Sequence, residues 1–259
     1  MGRGTSFDEA ARDYDEVRPG YPEELVEDVI ALSGIPDGGR ILEVGCGTGQ
    51  ATIPFAEWGY RMVSIDVGGE LASMARSKCS RYPSVEVLTV SFEDFVVKSG
   101  SFDLVISATA FHWIPPEVGY PKAARALNDS GSIALFWNMH PTPYTGFFED
   151  VQRVYGRIVP EWRNPEARPT TDERIRETVA LVDGTGLFGE VQVRRYPWSK
   201  TFSSGDYLRL LNTFSDHRSL EEERRADLFE GIRSLIDGEY GGAIERPYLS
   251  VLYVARKRV

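Results

Sequence analysis

Residues 41–50, Ile-Leu-Glu-Val-Gly-Cys-Gly-Thr-Gly-Gln, constrain this chain more than any other stretch. The apolar run from Arg40 to Val44 predicts a buried parallel strand that ends in a carboxylate and a glycine turn. Behind the turn, Gln50 to Trp58 predicts a helix with Pro54 in its first turn. Glycines let the backbone turn sharply and remove the Cβ atoms that would block a ligand lying against it. N–H groups at the helix start would then face that ligand. Glu43 is the unusual member. A carboxylate closing an apolar strand beside such a turn repels a phosphate and suits a cationic group.

Repeating units follow. Strands are expected at Arg61 to Ile65, closed by Asp66, at Val85 to Val90, at Phe102 to Ser107 and at Ser132 to Trp137. Helices are expected at Glu70 to Ser80 and Tyr120 to Leu127. This alternation implies an α/β fold, a parallel sheet with helices on both faces, and ligands bound outside the carboxyl ends of its strands. Before it, Phe7, Ala11, Tyr14 and Val17 suggest a short helix, and Glu23 to Ser33 a second, stopped by Gly34. After Asn138 the rhythm changes. His140 to Thr171 is proline-rich, aromatic and expected to be irregular. A helix is expected at Asp172 to Gly184, a strand at Gly189 to Trp198, two helical stretches within 203–240, and a last strand at Tyr248 to Arg256. The two late strands would pair antiparallel and carry an inserted cap over the strand ends. The expected organisation is an N-terminal helical cap segment over 1–39, a ligand-binding core over 40–139, and a C-terminal part over 140–259 that completes the sheet and adds cap insertions.

With 259 residues the chain can bury one large core. A net charge of −10 disfavours nucleic acid and anionic lipid, and the pairs Arg194-Arg195, Arg224-Arg225 and Lys257-Arg258 are scattered among acids. No run of about 18 apolar residues and no signal-peptide core is visible. Cys46 and Cys79 have no metal-ligand spacing, nor do His112, His140 and His217, so no metal is expected. The expectation is a cytoplasmic protein with a small-molecule substrate and no nucleic-acid or membrane partner.

These features resemble the class I methyltransferases that use S-adenosylmethionine, in the large small-molecule group that includes trans-aconitate methyltransferase-like proteins. Glu43 to Gly49 is similar to that family's first motif, Asp66 to the acid closing its second strand, and Phe102 to Val105 to the opening of its fourth. Phe111-His112-Trp113 follows in the usual place, and Phe7, Tyr14, Arg18-Pro19 and Tyr21-Pro22 are similar to one branch's N-terminal signature. Many relatives carry Asp or Asn where Ser91 stands. The resemblance implies a Rossmann-like, seven-stranded, mostly parallel sheet and S-adenosylmethionine as cofactor. It places the cofactor on Tyr14, Arg18, Glu43, Gly45, Cys46, Gly47, Gln50, Asp66, Val67, Ser91, Phe92, Glu93, Ala108 and Thr109. Asp66 would accept from the ribose hydroxyls, Val67 or Phe92 would flank the adenine, and Glu43 would favour the cationic amino-acid end.

Methyl transfer needs a general base only if the nucleophile must lose a proton. His112 is the candidate base, with a place in the pocket wall as its other reading. Trp113, Asn138, His140, Trp162, Thr213 and His217 are the candidate substrate contacts. Two alternatives stand beside this. One is a non-catalytic S-adenosylmethionine-binding module. The other is a nicotinamide dinucleotide oxidoreductase, whose third turn glycine would fall at Gln50 and whose pyrophosphate Glu43 disfavours. Scaffold does not select the acceptor.

Overall fold

The computed structural model describes residues 11–162 and 169–259; Phe7 lies outside them. Its sheet has strands β1 (Arg40–Val44), β2 (Arg61–Asp66), β3 (Val85–Thr89), β4 (Phe102–Ala108), β5 (Leu127–Met139), β6 (Gln192–Ser203) and β7 (Ala243–Arg256), in the order β3-β2-β1-β4-β5-β7-β6. The first five run parallel. β7 is antiparallel to both its neighbours, β5 and β6. The expected seven-stranded, mostly parallel sheet is therefore present. Strand order reverses between β1 and β4, which opens a crevice at their carboxyl ends.

Helix α1 (Ala11–Val17) precedes the sheet. On one face, α2 (Glu23–Ser33) and α3 (Thr52–Glu57) bury Leu25, Val29 and Phe55 against Ile41, Leu104 and Phe136. α2 stops where Gly34 turns left-handed (φ 66°) and returns its N–H to the Ile30 carbonyl. Helix α4 (Gly69–Lys78) packs Ala72 and Ala75 with Val87 and Cys46. On the other face, α5 (Pro116–Ala126) and, beyond β5, α7 (Thr171–Gly184) bury Tyr120, Ala123 and Val182 with Leu42, Val105 and Ile133. Both faces of the central strands β1 and β4 are covered, which explains their nearly continuous apolar runs, whereas edge strand β3 alternates and exposes Glu86.

Several expectations are corrected. α3 begins at Thr52, not Gln50, because the glycine turn extends further. α5 begins at Pro116, whose fixed φ suits a first helical position. The segment expected to be irregular contains α6 (Phe147–Ile158), where Phe147, Val151, Val154 and Ile158 form one apolar stripe. Flanking prolines at 141, 143 and 160 hid that periodicity.

Helix α6 joins α8 (Ser204–Asn212), α9 (Ser215–Arg218) and α10 (Glu222–Glu239), the last three inserted between β6 and β7. Together with Val17 of α1 they bury a second core: Phe147, Phe148, Leu208, Leu211, Leu228, Ile232 and Ile236. This cap stands over the carboxyl ends of the sheet. Among the described residues no helix is long and apolar enough to cross a membrane.

Candidate functional site

The glycine turn is built from β1 and tied to β2. Gly45, Gly47 and Gly49 have φ of 77°, 55° and 90°, a region that residues with a Cβ rarely adopt. A Cβ on Gly45 would lie 2.3 Å from that of Ala110, so the turn and the loop after β4 touch there. The N–H groups of Gly45 and Cys46 donate to the Ile65 carbonyl, that of Gly47 to Asp66 Oδ2 at 2.8 Å, and that of Gly49 to the Cys46 carbonyl. These four turn N–H groups are consumed inside the fold. Asp66 holds the turn, and its Oδ1 accepts from Gly68 N–H at 2.8 Å. Each carboxylate oxygen has a second lone pair, so Asp66 can accept two hydroxyl donors as well.

Glu43 lies under the turn, fully buried, and lines neither of the two spaces described below. Thr52 and Ser64 hydroxyls donate to its Oε2 at 2.6 and 2.7 Å, while Oε1 has no hydrogen-bond partner. Burial raises its pKa to about 7, against the lowering effect of the two hydroxyls.

Above the turn is a cavity of about 610 Å3, within the size range of small-molecule sites. Of the sequence-predicted residues it brings together Tyr14, Arg18, Gly45, Gly47, Asp66, Val67, Ser91, Phe92, Glu93, Ala108, Thr109, His112 and Trp113. Val67 and Trp113 are 53% and 42% exposed, large apolar surfaces left open on the wall. Ser91 Oγ donates to Asp94 and accepts the Asp94 N–H, which fixes the loop after β3. Thr109 adopts φ 56° and pairs its hydroxyl with that of Tyr21 at 2.8 Å. From the cap side, Arg18 lies between the rings of Tyr14 and Phe214 and donates to Thr213 Oγ1 at 2.7 Å. An acidic rim of Asp66, Glu93 and Asp216 favours a cationic occupant.

His112 has a fixed hydrogen-bond role. Trp137 Nε1 donates to its Nδ1 at 3.1 Å, and an indole N–H can only donate. Burial lowers the imidazole pKa, so the ring is neutral near pH 7 and carries its proton on Nε2. In that tautomer it offers the cavity an N–H, not the lone pair that the general-base expectation requires.

A smaller chamber adjoins the cavity and takes in Cys46, Gln50 and Asn138. The other expected substrate contacts line neither space. His217 is buried in the cap between Tyr155 Oη (2.9 Å from Nε2) and Asp216 Oδ1 (2.7 Å from Nδ1), with Trp162 against its ring. His140 packs on Phe148 and Tyr144, where burial pushes its pKa down to about 4. Thr213 is fully buried as the acceptor for Arg18. Aromatic and histidine side chains here build the cap core. Sequence reasoning missed Ala110, Arg246 and Tyr248, which line these walls without any local motif, and gave no site role to Tyr21 of the N-terminal signature, which lines them too. Among the described residues no cluster of His, Cys, Asp and Glu could hold a metal.

Comparison with known proteins gives three findings. Residues 41–131 match the profile of a family described as a methyltransferase domain. An uncharacterized methyltransferase of Mycobacterium tuberculosis is 29% identical over 59% of this chain and 59% of its own length, so the match spans well under two thirds of that relative. A protein of Saccharomyces cerevisiae described as a probable S-adenosylmethionine-dependent methyltransferase is 28% identical over 71% of this chain and 65% of its own. A structure from Anaeromyxobacter dehalogenans described as a putative type II methyltransferase superposes with a TM-score of 0.65 at 22% identity, covering 93% and 96% of the two chains, and so shares the fold. These matches favour the methyltransferase expectation over the dinucleotide alternative.

Proposed function

We propose, from the premise that the chain belongs to the class I S-adenosylmethionine-dependent methyltransferases, that it transfers a methyl group to a small-molecule acceptor by in-line displacement. The observation that carries this reading is Asp66 clamping the left-handed glycine turn beneath a cavity with an acidic rim and open apolar walls. That combination suits a cationic nucleoside. S-adenosylmethionine supplies an electrophilic methyl on a sulfonium whose thioether leaving group is neutral. The chain's own contribution is then alignment and exclusion of water.

In this reading Asp66 accepts from the ribose hydroxyls. Val67, with the loop Ser91-Phe92-Glu93, borders the base, and Gly45 and Gly47 let the backbone approach the amino-acid end. Tyr14 and Arg18 close the site from the cap. Glu43 acts from beneath the turn, half-protonated near pH 7, and not as a contact. His112 and Trp113 border the acceptor, His112 as a donor that orients it. An acceptor here brings its own lone pair or loses its proton to another group.

Calorimetric titration with S-adenosylhomocysteine, with NADH as control, tests the reading. Binding of the first alone is expected; binding of NADH alone overturns it. Turnover on a responsive acceptor separates an enzyme from a non-catalytic binding module. There His112→Ala and Tyr14→Phe lower kcat with folding unchanged, and full activity in both variants removes those two roles.

A further inference from the structure

Methyl transfer moves a positive charge as well as a carbon. The sulfonium loses its charge, and an acceptor that attacks through an uncharged atom gains it. A fixed carboxylate beside that atom stabilises the transition state more than the bound reactants. One carboxylate in the cavity has no part in holding the cofactor. Asp216 lines the larger space with His112, Trp113 and Ile114, and does not line the smaller chamber behind the glycine turn. It belongs to the four-residue helix α9, and its side chain is 61% exposed, so it is at once a cavity wall and open to water. His217, the next residue, is buried, with the rings of Trp162, Phe214 and Phe229 at 5.0, 5.9 and 6.3 Å from its own. Asp216 Oδ1 accepts from both the backbone N–H and the ring Nδ1 of His217, each at 2.7 Å. Both bonds fall on Oδ1, so Oδ2 keeps its lone pairs for a ligand. Partial burial by the cap works against the charge, but the His217 hydrogen bonds outweigh it and hold the carboxyl below its ordinary pKa. A carboxylate that only faced water would turn freely; this one is fixed by a ring that the cap core holds in place. Among the described residues, the charged groups lining the larger space are Asp66, Glu93, Asp216 and Arg18. The Arg18 guanidinium lies between the rings of Tyr14 and Phe214 and donates to Thr213. An anionic acceptor would meet net repulsion here, and a cationic one attraction.

We propose that the methyl acceptor is an arylalkyl amine whose nitrogen is held by Asp216 Oδ2, with His217 as the positioning residue behind that carboxylate. The inference rests on the methyl-transfer reading above. The ammonium form enters by donating an N–H to Oδ2. It has no lone pair, so it first gives one proton to water, which reaches the exposed Asp216. The neutral nitrogen then attacks. Its lone pair forms the N–CH3 bond, the C–S pair passes to sulfur as S-adenosylhomocysteine forms, and the nitrogen ends as a methylammonium against the carboxylate. No proton moves in the displacement itself, in keeping with a His112 that presents an N–H and not a lone pair. Trp113, Ile114 and Phe214 supply an apolar wall for the ring. A carboxylate acceptor would end neutral and gain nothing from Asp216.

The test is calorimetry on the full chain saturated with S-adenosylhomocysteine. The titrants are benzylamine, phenethylamine and tyramine, each paired with the alcohol and the carboxylate of the same skeleton. At least one amine is expected to bind, with its alcohol and its acid about tenfold weaker or more. With S-adenosylmethionine in place of the product, mass spectrometry should find that amine methylated on nitrogen. Asp216→Asn keeps an oxygen for His217 and removes the charge. It is expected to weaken the amine about tenfold, while the alcohol and S-adenosylhomocysteine stay within about twofold. His217→Phe keeps a ring in the aromatic surroundings and loses the Nδ1–H. It should weaken the amine about threefold alone and no further in the Asp216→Asn background. Equal loss in both backgrounds overturns the positioning role. Binding of none of the amines, an alcohol or acid as tight as its amine, or an Asp216→Asn that leaves the amine unchanged overturns the proposal. So does an Asp216→Asn that weakens S-adenosylhomocysteine as much as the amine, because the carboxylate then serves the cofactor. Failure of the wild-type chain to bind S-adenosylhomocysteine is a separate result and removes the methyl-transfer reading itself.

Discussion

The two walls of the cavity are made in opposite ways. The sheet-side wall comes from turns that directly follow β1, β2, β3 and β4, each a few residues beyond a buried strand. Its residues are held by backbone: Asp66 by two N–H groups, the glycine turn by the Ile65 carbonyl, Thr109 N–H by the Phe136 carbonyl. The cap-side wall pools side chains from α1, the α8–α9 junction and β7, which meet only through tertiary packing. Arg18 reaches Thr213 across 195 residues of sequence. One wall is therefore set by local geometry and the other by a second hydrophobic core, and the two should fail separately.

The largest expected effect lies on the sheet side. Gly45→Ala forces an alanine into a left-handed backbone and into Ala110, a cost of about 4 kcal/mol from strain and overpacking together. Urea denaturation should show that loss, and S-adenosylhomocysteine binding should disappear with it. A wild-type-like variant would mean that the turn is more plastic than its contacts indicate. On the cap side, Ile232→Ala removes a fully buried side chain and should cost about 3 kcal/mol. Hydrogen exchange should then quicken in 147–158 and 204–239 and stay slow in β1 and β4. Uniform loss of protection would merge the two walls into one cooperative unit.

Glu43 gives a pH signature to the sheet side alone. Its folded-state pKa, about 7, lies above the ordinary value of 4.5. The folded chain therefore binds the extra proton, and this contribution is fully present below about pH 4.5 and lost as pH rises through 7. The loss is on the order of 3 kcal/mol. Glu43→Gln stays neutral, so its melting temperature should lack that decline; an unchanged profile would place the titration elsewhere. The smallest effect is at the seam. Asp15 accepts from Thr48 of the glycine turn and pairs with Lys78 of α4, which ties α1 down. Asp15→Asn should cost about 1 kcal/mol or less, as half-exposed pairs do, and should weaken S-adenosylhomocysteine less than tenfold by calorimetry.

The same contrast explains what could be read from sequence. β1 and its turn announce themselves because strand, carboxylate and glycines are adjacent in the chain, and each element's role depends on its neighbours there. The positions of Asp66, Ser91 and His112 follow from the strands they end. The cap has no such grammar. Trp162, His140 and His217 look like pocket residues by type, yet in the fold they pack the cap's own interior, because aromatic side chains are what fill a small second core. Arg246 and Tyr248 look like an ordinary strand end, and only the packing of β7 against α6 and α8 gives them their surroundings. Glu43 is the instructive mixture. Its sign preference was legible, but not that Thr52 and Ser64 would draw it beneath the floor of the site.

Ser203 and Ala243 face one another across the β6–β7 ladder, so residues 204–242 leave the sheet and return at a single rung. A stretch with abutting ends can be exchanged for another of different length without disturbing the register of the strands that carry it. The scaffold thus behaves like a socket, in which a new head inherits a working floor and brings its own selectivity.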